Sequence, residues 1–414
     1  MRFILESPLA KKIILFFIVL SSNSFFLFRY IPESTRDMLE LVSLFLILLF
    51  VVANLLFSSS TTTKKHFSRE VHLFLLAVFF SMFVADYYHN QNIGITLLAQ
   101  RFMYFYFFYF LLHTFKLHAR DIEKIMVTMG VLYVVFFVIQ YAIHPAILFE
   151  ARIDVDRGTL RIFLPALGFM FFTYYKFLQE YLTTQKLMYG ALVFVFFLVG
   201  GVLQGTRQTM ATMTLLTLGF IFFNKQVKSR LLNITLAVFA GFAIFILFHD
   251  MFLEILAATQ QETTTSQPNV RVRAVRFFLS DFMPADIAYI LGNGQDSMNS
   301  TYGQRIHIYR FARGFFQSDI GIIGDYTKFG ILFVIAQLSV MIRLIFGKLP
   351  SQTSFMRYLF ISIALVMFSG RNLFGTSDGI VFVTMILYLV DFYKNQQSNT
   401  PHHSPGFSLK PESS

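Results

Sequence analysis

Residues 257–319 read AATQQETTTSQPNVRVRAVRFFLSDFMPADIAYILGNGQDSMNSTYGQRIHIYRFARGFFQSD. A helix that spans a bilayer needs about 20 mainly apolar residues. This is the one long interval of the chain that contains no such run, while the flanks on both sides supply them in succession. The interval also holds six arginines (Arg271, Arg273, Arg276, Arg305, Arg310, Arg313), no lysine and one histidine, His307. The flanks therefore read as apolar scaffold, and chemistry-bearing side chains gather between them.

The composition fits that division. Of 414 residues, 56% are hydrophobic and 14% charged, against roughly 25% charged in soluble domains. Mean hydropathy is +0.61. Such a chain is expected to be an all-α, polytopic integral membrane protein. Twelve transmembrane helices are expected, at about 11–28, 38–57, 71–87, 93–115, 122–143, 162–179, 187–204, 208–223, 231–256, 320–346, 355–369 and 378–393. One large extracytoplasmic loop, 257–319, separates spans nine and ten. Residues 1–394 form a single transmembrane domain, and the Pro/Ser-rich tail 395–414 is expected to be disordered and cytoplasmic. No small-residue cleavage site follows the first apolar run, so it reads as an uncleaved anchor. With no tryptophan, tyrosine must supply any interfacial aromatic belt. With no cysteine, disulfides, thiolate metal sites and cysteine nucleophiles are excluded.

The net charge of +11 raises nucleic acid as a partner. Loop lysines obeying the positive-inside rule explain it better, and no nucleic-acid partner is expected. With both termini cytoplasmic, all thirteen outer basic residues are arginine, whereas thirteen of the nineteen inner ones are lysine. The positive-inside rule does not choose between the two types. Arginine's planar fork binds phosphate oxygens bidentately, so the outer set points to an anionic, phosphate-bearing ligand. The plainer reading pairs these arginines with outer acids such as Asp154, Asp156, Asp281 and Asp286, or with lipid headgroups.

Several constellations refine this. In GGVLQGTRQTMATMT, Arg207 sits at the mouth of a tight helical hairpin, beside glycines that permit close backbone approach. In the long loop, Arg273 and Arg276 share a helical face, and Phe277 and Phe278 are placed to anchor that helix to the membrane surface. Gly292-Asn293-Gly294 reads as a turn or, less simply, as an anion nest. His307 suits proton transfer near neutrality, though a lone histidine is more often a structural hydrogen-bonder. Asp319 precedes the tenth span, where the helix dipole favours a carboxylate. Asp325 and Lys328 are spaced to neutralise each other. Arg101 is an intramembrane charge, hence a functional candidate by default; its plainer role is a pair with Asp86. No Walker, HExxH, GxSxG or DxD-type pattern occurs, so neither a metal nor a cofactor is expected.

Taken together, residues 120–345 resemble the O-antigen ligase and polymerase superfamily of bacterial membrane glycosyltransferases. The resemblance rests on Arg157 to Pro165 leading into span six, on Thr206-Arg207, and on the arginine helix with Arg273 and Phe277. It rests further on Gly292-x-Gly294 and on the Ser318-Asp319-x-Gly321 run entering a glycine-containing span. Counting back from Gly330, Asp319 rather than His307 falls where ligases carry a loop histidine. That tilts the likeness toward polymerases, which often show Ser-Asp-x-Gly here.

The resemblance implies an inverting transfer on the outer face of the inner membrane. The donor and acceptor would be oligosaccharide repeat units linked to a polyprenyl lipid such as undecaprenyl pyrophosphate. The product would be O-antigen or another surface polysaccharide, with a chain-length regulator among the expected partners. Arg207 and Arg273 or Arg276 would hold the pyrophosphate, with Arg101 and Arg305 as further candidates. Either His307 or Asp319 would be the base. Two alternatives stand beside polymerisation: a ligase passing the glycan to lipid A-core or protein, and a flippase moving a lipid-linked sugar without covalent chemistry. Transporters usually place charges at mid-bilayer in broken helices.

Overall fold

A computed structural model of the chain describes residues 7–57, 64–154, 160–204, 206–224, 227–249, 253, 269–367, 370 and 373–399. Arg157, Gly205, residues 257–268, Arg371 and the tail from 400 onward lie outside the described residues. In chain order come α1 (Pro8–Ser22), α2 (Glu33–Phe57), α3 (Ser68–His89), α4 (Ile93–Ala99), a 3-10 segment (Arg101–Phe107), α5 (Phe108–Phe115) and α6 (Ala119–Ile143). A small antiparallel hairpin, β1 (Arg152–Asp154) with β2 (Arg161–Phe163), pairs Arg152 with Phe163 and Asp154 with Arg161. Then follow α7 (Leu167–Thr184), α8 (Leu187–Phe197) running into a π-turn (Leu198–Leu203), α9 (Arg207–Phe223) and α10 (Arg230–Leu247). The loop region supplies α11 (Val270–Leu279), α12 (Asp286–Leu291), α13 (Thr301–Arg313) and a 3-10 turn (Gln317–Ile320). The chain closes with α14 (Ile322–Ile345), α15 (Met356–Met367) and α16 (Ser377–Asn399). The described chain is thus all-α apart from the hairpin.

Helices occupy all twelve segments expected to span, but they differ in reach. Among the described residues, five are long and apolar enough to cross a membrane: α2, α3, α6, α10 and α14. A sixth arises if α4 and Arg101–Phe115, bent by 67° at their junction, count as one span. Helix α1 has 15 residues and α15 has 12, which at about 1.5 Å per residue falls short of a hydrocarbon core about 30 Å thick. Helix α1 stops early because Ser24, Phe25, Phe26 and Leu27 all take left-handed backbone conformations.

The centre of the bundle is α16. Every residue from Ile380 to Asp391 is buried, as expected of a helix apolar on all sides. The one charge in that stretch, Asp391, accepts hydrogen bonds from Tyr109 Oη (2.5 Å) and the His66 backbone N–H (3.1 Å), and His113 lies 3.3 Å away. At one end of the bundle, His118, Glu123, Lys176, Ser351 and Tyr393 help line a polar cavity of about 490 Å³. All five fall on the side assigned as inner from the charge pattern.

Helix α14 is broken within itself. Gly330 has φ 75° and ψ −173°, which frees carbonyls one turn earlier. The Gly292–Gly294 segment docks there. The Asn293 and Gly294 amides donate to the Thr327 and Lys328 carbonyls at 2.9 and 2.8 Å, and Asn293 Nδ2 donates to Thr327 O at 3.0 Å. These amides are spent on a helix backbone, so the Gly-Asn-Gly run is a docking turn and not an anion nest.

Candidate functional site

The residues singled out from the sequence fall into two groups. The first surrounds the connector between α15 and α16. Arg207 begins α9, directly after the Thr206 N-cap. The preceding π-turn packs closely because Gly200 carries no side chain: a Cβ there would lie 2.4 Å from Met170 Cε. Gln208, next to Arg207, donates from Nε2 to Leu365 O at 2.8 Å, and its Oε1 is 3.9 Å from where a Gly370 Cβ would stand.

The turn bearing Asp319 leads into Gly321, which meets the same connector. Asp319 lies in the 3-10 turn Gln317–Ile320 and not at the cap of α14; that place belongs to Gly321, with φ 55° and ψ −128°. Few residues other than glycine adopt that conformation. Here the space also forbids a side chain, since a Gly321 Cβ would sit 1.8 Å from Met367 O and 3.1 Å from Gly370 O. Gln208 and Gly321 thus both meet Gly370, which draws the segments bearing Arg207 and Asp319 together. Asp319 is partly buried and accepts a hydrogen bond from Ser318 Oγ at 3.2 Å.

Arg101 is held apart from these two segments, by carboxylates of α2. Its guanidinium lies 3.3 Å from Asp37 and 3.8 Å from Glu40. The expected partner, Asp86, is exposed at the end of α3 and is not used; α2 brings its first turns alongside the α4 break and supplies the carboxylates instead. Ser377, at the start of α16, donates from Oγ to Ser22 O at 3.0 Å. Tyr106 Oη donates to Phe374 O at 2.9 Å, and a Gly375 Cβ would be 2.6 Å from Asp325 Oδ1. Lys328 interacts electrostatically with both Asp296 and Asp325.

The second group is a unit built from α11 and α13, with α12 packed beside it on α14 and α3. Its core is Ala274, Phe277, Phe278, Phe282, Tyr302, Ile306, Phe315 and Ile320. Phe277 and Phe278, expected to anchor α11 to the membrane, are therefore internal. They turn inward because Phe282 and Phe315 fold back to meet them, with ring centroids 5.1 Å from Phe278 and 5.4 Å from Phe277. Arg273, Arg276, Arg305 and His307 are exposed. The His307 ring rests on Phe311 at 4.3 Å and makes no side-chain hydrogen bond among the described residues. Ile320 belongs to this core and is adjacent to Asp319, so the two groups join at that turn.

Sequence reasoning missed the polar network that seats the unit on α3. His89 Nε2 pairs with Asn293 Oδ1 at 2.9 Å, and its ring stacks on Tyr302 at 4.2 Å. Gln91, fully buried, donates to Thr96 and Gln295 and accepts from Ser297 N and Ser300 Oγ. Arg310 forks onto both oxygens of Asp296, at 3.0 and 2.8 Å. Burial pushes the Tyr302 phenol well above its usual range, and Asp296 adds to this, so Tyr302 serves as a neutral donor. Several arginines assigned to the outer side from the charge pattern also pair with acids: Arg161 and Arg152 with Asp154, and Arg36 with Glu150.

No protein-family model matches this chain, and no curated protein matches it significantly.

Proposed function

We propose that the chain is a metal-independent membrane glycosyltransferase that polymerises polyprenyl-pyrophosphate-linked repeat units of a surface polysaccharide, with Arg207 and Asp319 at its centre. The observation that carries this reading is the meeting of the Arg207 and Asp319 segments at Gly370. An arginine fork and a carboxylate on segments that share a neighbour are the minimum that such a transfer needs. The acceptor hydroxyl oxygen forms a bond to the donor's anomeric carbon while its proton passes to Asp319. The bond from that carbon to the pyrophosphate oxygen breaks, and the departing charge is stabilised by Arg207. Asp319 is preferred to His307 as base because it is partly buried two residues before Gly321, which meets the connector, whereas His307 is exposed on the loop unit. Arg101 is better read as structural, since two carboxylates already engage it.

The test is Arg207→Ala beside Arg207→Lys, scored by glycan chain length on gels. Loss of long chains with single units still attached supports polymerisation. Loss of every attached glycan moves the reading to a ligase. Normal chains in both variants remove Arg207 from the mechanism.

A transporter of lipid-linked sugar is the second reading. It is favoured by two interrupted helices, α14 at Gly330 and the 67° bend beside Arg101, because broken helices with nearby charges are how transporters build sites. Accumulation of substrate on the inner face in an Arg101→Ala strain would select it.

A further inference from the structure

We propose that the end of the loop unit where α11 begins and α13 finishes docks on the anionic headgroups of the bilayer that holds the spans. Helices α11 and α13 run antiparallel. Val270 lies beside Gly314, with its Cγ2 3.3 Å from where a Gly314 Cβ would stand, and the Phe277 and Tyr309 rings are 4.6 Å apart. That arrangement gathers Arg271, Arg273 and Arg313 at one end, all exposed. Among the described residues, Asp281 and Asp286 follow the opposite end of α11, Asp296 is held by Arg310, and Asp319 lies in the turn that packs on the unit's core.

The same end carries apolar side chains that the core does not use. Val272 is 56% exposed, Ile308 60% and Phe311 71%, although the unit has filled its interior with other aromatics. Basic residues interleaved with exposed apolar ones make an interfacial surface. The unit also stands at the right level. It rests on His89 at the end of α3 through the stack on Tyr302, and its core residue Ile320 leads through Gly321 into α14. Both helices are long and apolar enough to span, so their shared end is where hydrocarbon gives way to headgroups. Arginine suits this place because it forks onto phosphate oxygens while its stem lies along apolar surface.

The chain contains no tryptophan, so Phe311→Trp introduces a sole reporter. The full-length variant is placed in nanodiscs of phosphatidylcholine with or without phosphatidylglycerol, using brominated acyl chains as quencher. The expected result is quenching in the anionic discs that fades as salt is raised. Each arginine near an anionic surface contributes a factor of about five. Adding Arg271→Glu, Arg273→Glu and Arg313→Glu should therefore return emission to the level seen in phosphatidylcholine alone. Ile308→Trp repeats the measurement if the first reporter disturbs folding. Equal quenching in both lipids, or none in the anionic discs, overturns the proposal. The readout needs no enzymatic activity, so its outcome is separate from that of the glycosyltransferase reading.

Discussion

Gly292 and Gly330 lie back to back, each occupying the space that a side chain on the other would need. A Cβ on Gly292 would fall 2.3 Å from Lys328 O, and one on Gly330 would fall 2.1 Å from Ile290 O; both residues have positive φ. The contact locks the loop unit to the broken turn of α14. Gly292→Ala and Gly330→Ala should each cost about 1–3 kcal/mol from backbone conformation, with a similar amount from overpacking. Thermal unfolding followed by circular dichroism in detergent checks this. An unchanged midpoint in either variant would show that the contact is not as close as described.

Asp319 and His307 are separable by substitution. If Asp319 accepts the acceptor's proton, Asp319→Asn should lower turnover by about 10²–10⁴-fold, the usual range for loss of a general base. His307→Ala, on an exposed surface, should leave turnover within about twofold and helix content unchanged. Chain-length assays with purified lipid-linked units measure both. The opposite ranking would return the base to His307.

How far the residue string foretold this arrangement depends on the range of each interaction. Apolar runs are local, so helices appear in all twelve expected places. Whether each crosses a bilayer depends on where it stops, and at Ser24–Leu27 or Gly330 the backbone breaks in ways that an apolar count does not register. Gly292-Asn293-Gly294 reads as a turn or an anion nest; it is a turn, and what its amides meet is a pair of helix carbonyls and not a phosphate. The inward turn of Phe277 and Phe278 depends on Phe315, and the seating of the unit depends on Gln91, which bonds residues 204 to 209 positions away. A lone glutamine near a helix end gives no advance sign of that.

His66 gives a pH signature. It lies in the turn before α3, where burial lowers the imidazole pKa; Asp391 opposes the shift, while Lys394 and Lys64 reinforce it. The unfolded chain takes up this proton near about 6.5, before the folded chain does. Between the lowered value and that point the unfolded state binds more protons, so stability rises with pH. The melting midpoint should fall as pH drops through this window, and His66→Gln should flatten part of the fall. Superimposable pH profiles for the two proteins would exclude His66 as a contributor.

Arg101 offers the test that separates structure from substrate binding. Its guanidinium faces Asp37 and Glu40, and the Glu40 side chain is only 15% exposed. Removing the arginine leaves that carboxylate without its cation, at a cost of about 1–3 kcal/mol for an uncompensated, largely buried group. Arg101→Ala should therefore lower both the melting midpoint and the yield of folded protein. Adding Glu40→Gln neutralises the stranded charge, so the double variant should recover most of the loss. A structural arginine would also regain activity in the double variant, because nothing it touched in the substrate has gone. If stability returns while activity stays absent, Arg101 contacts the substrate directly and rejoins Arg207 as a phosphate ligand.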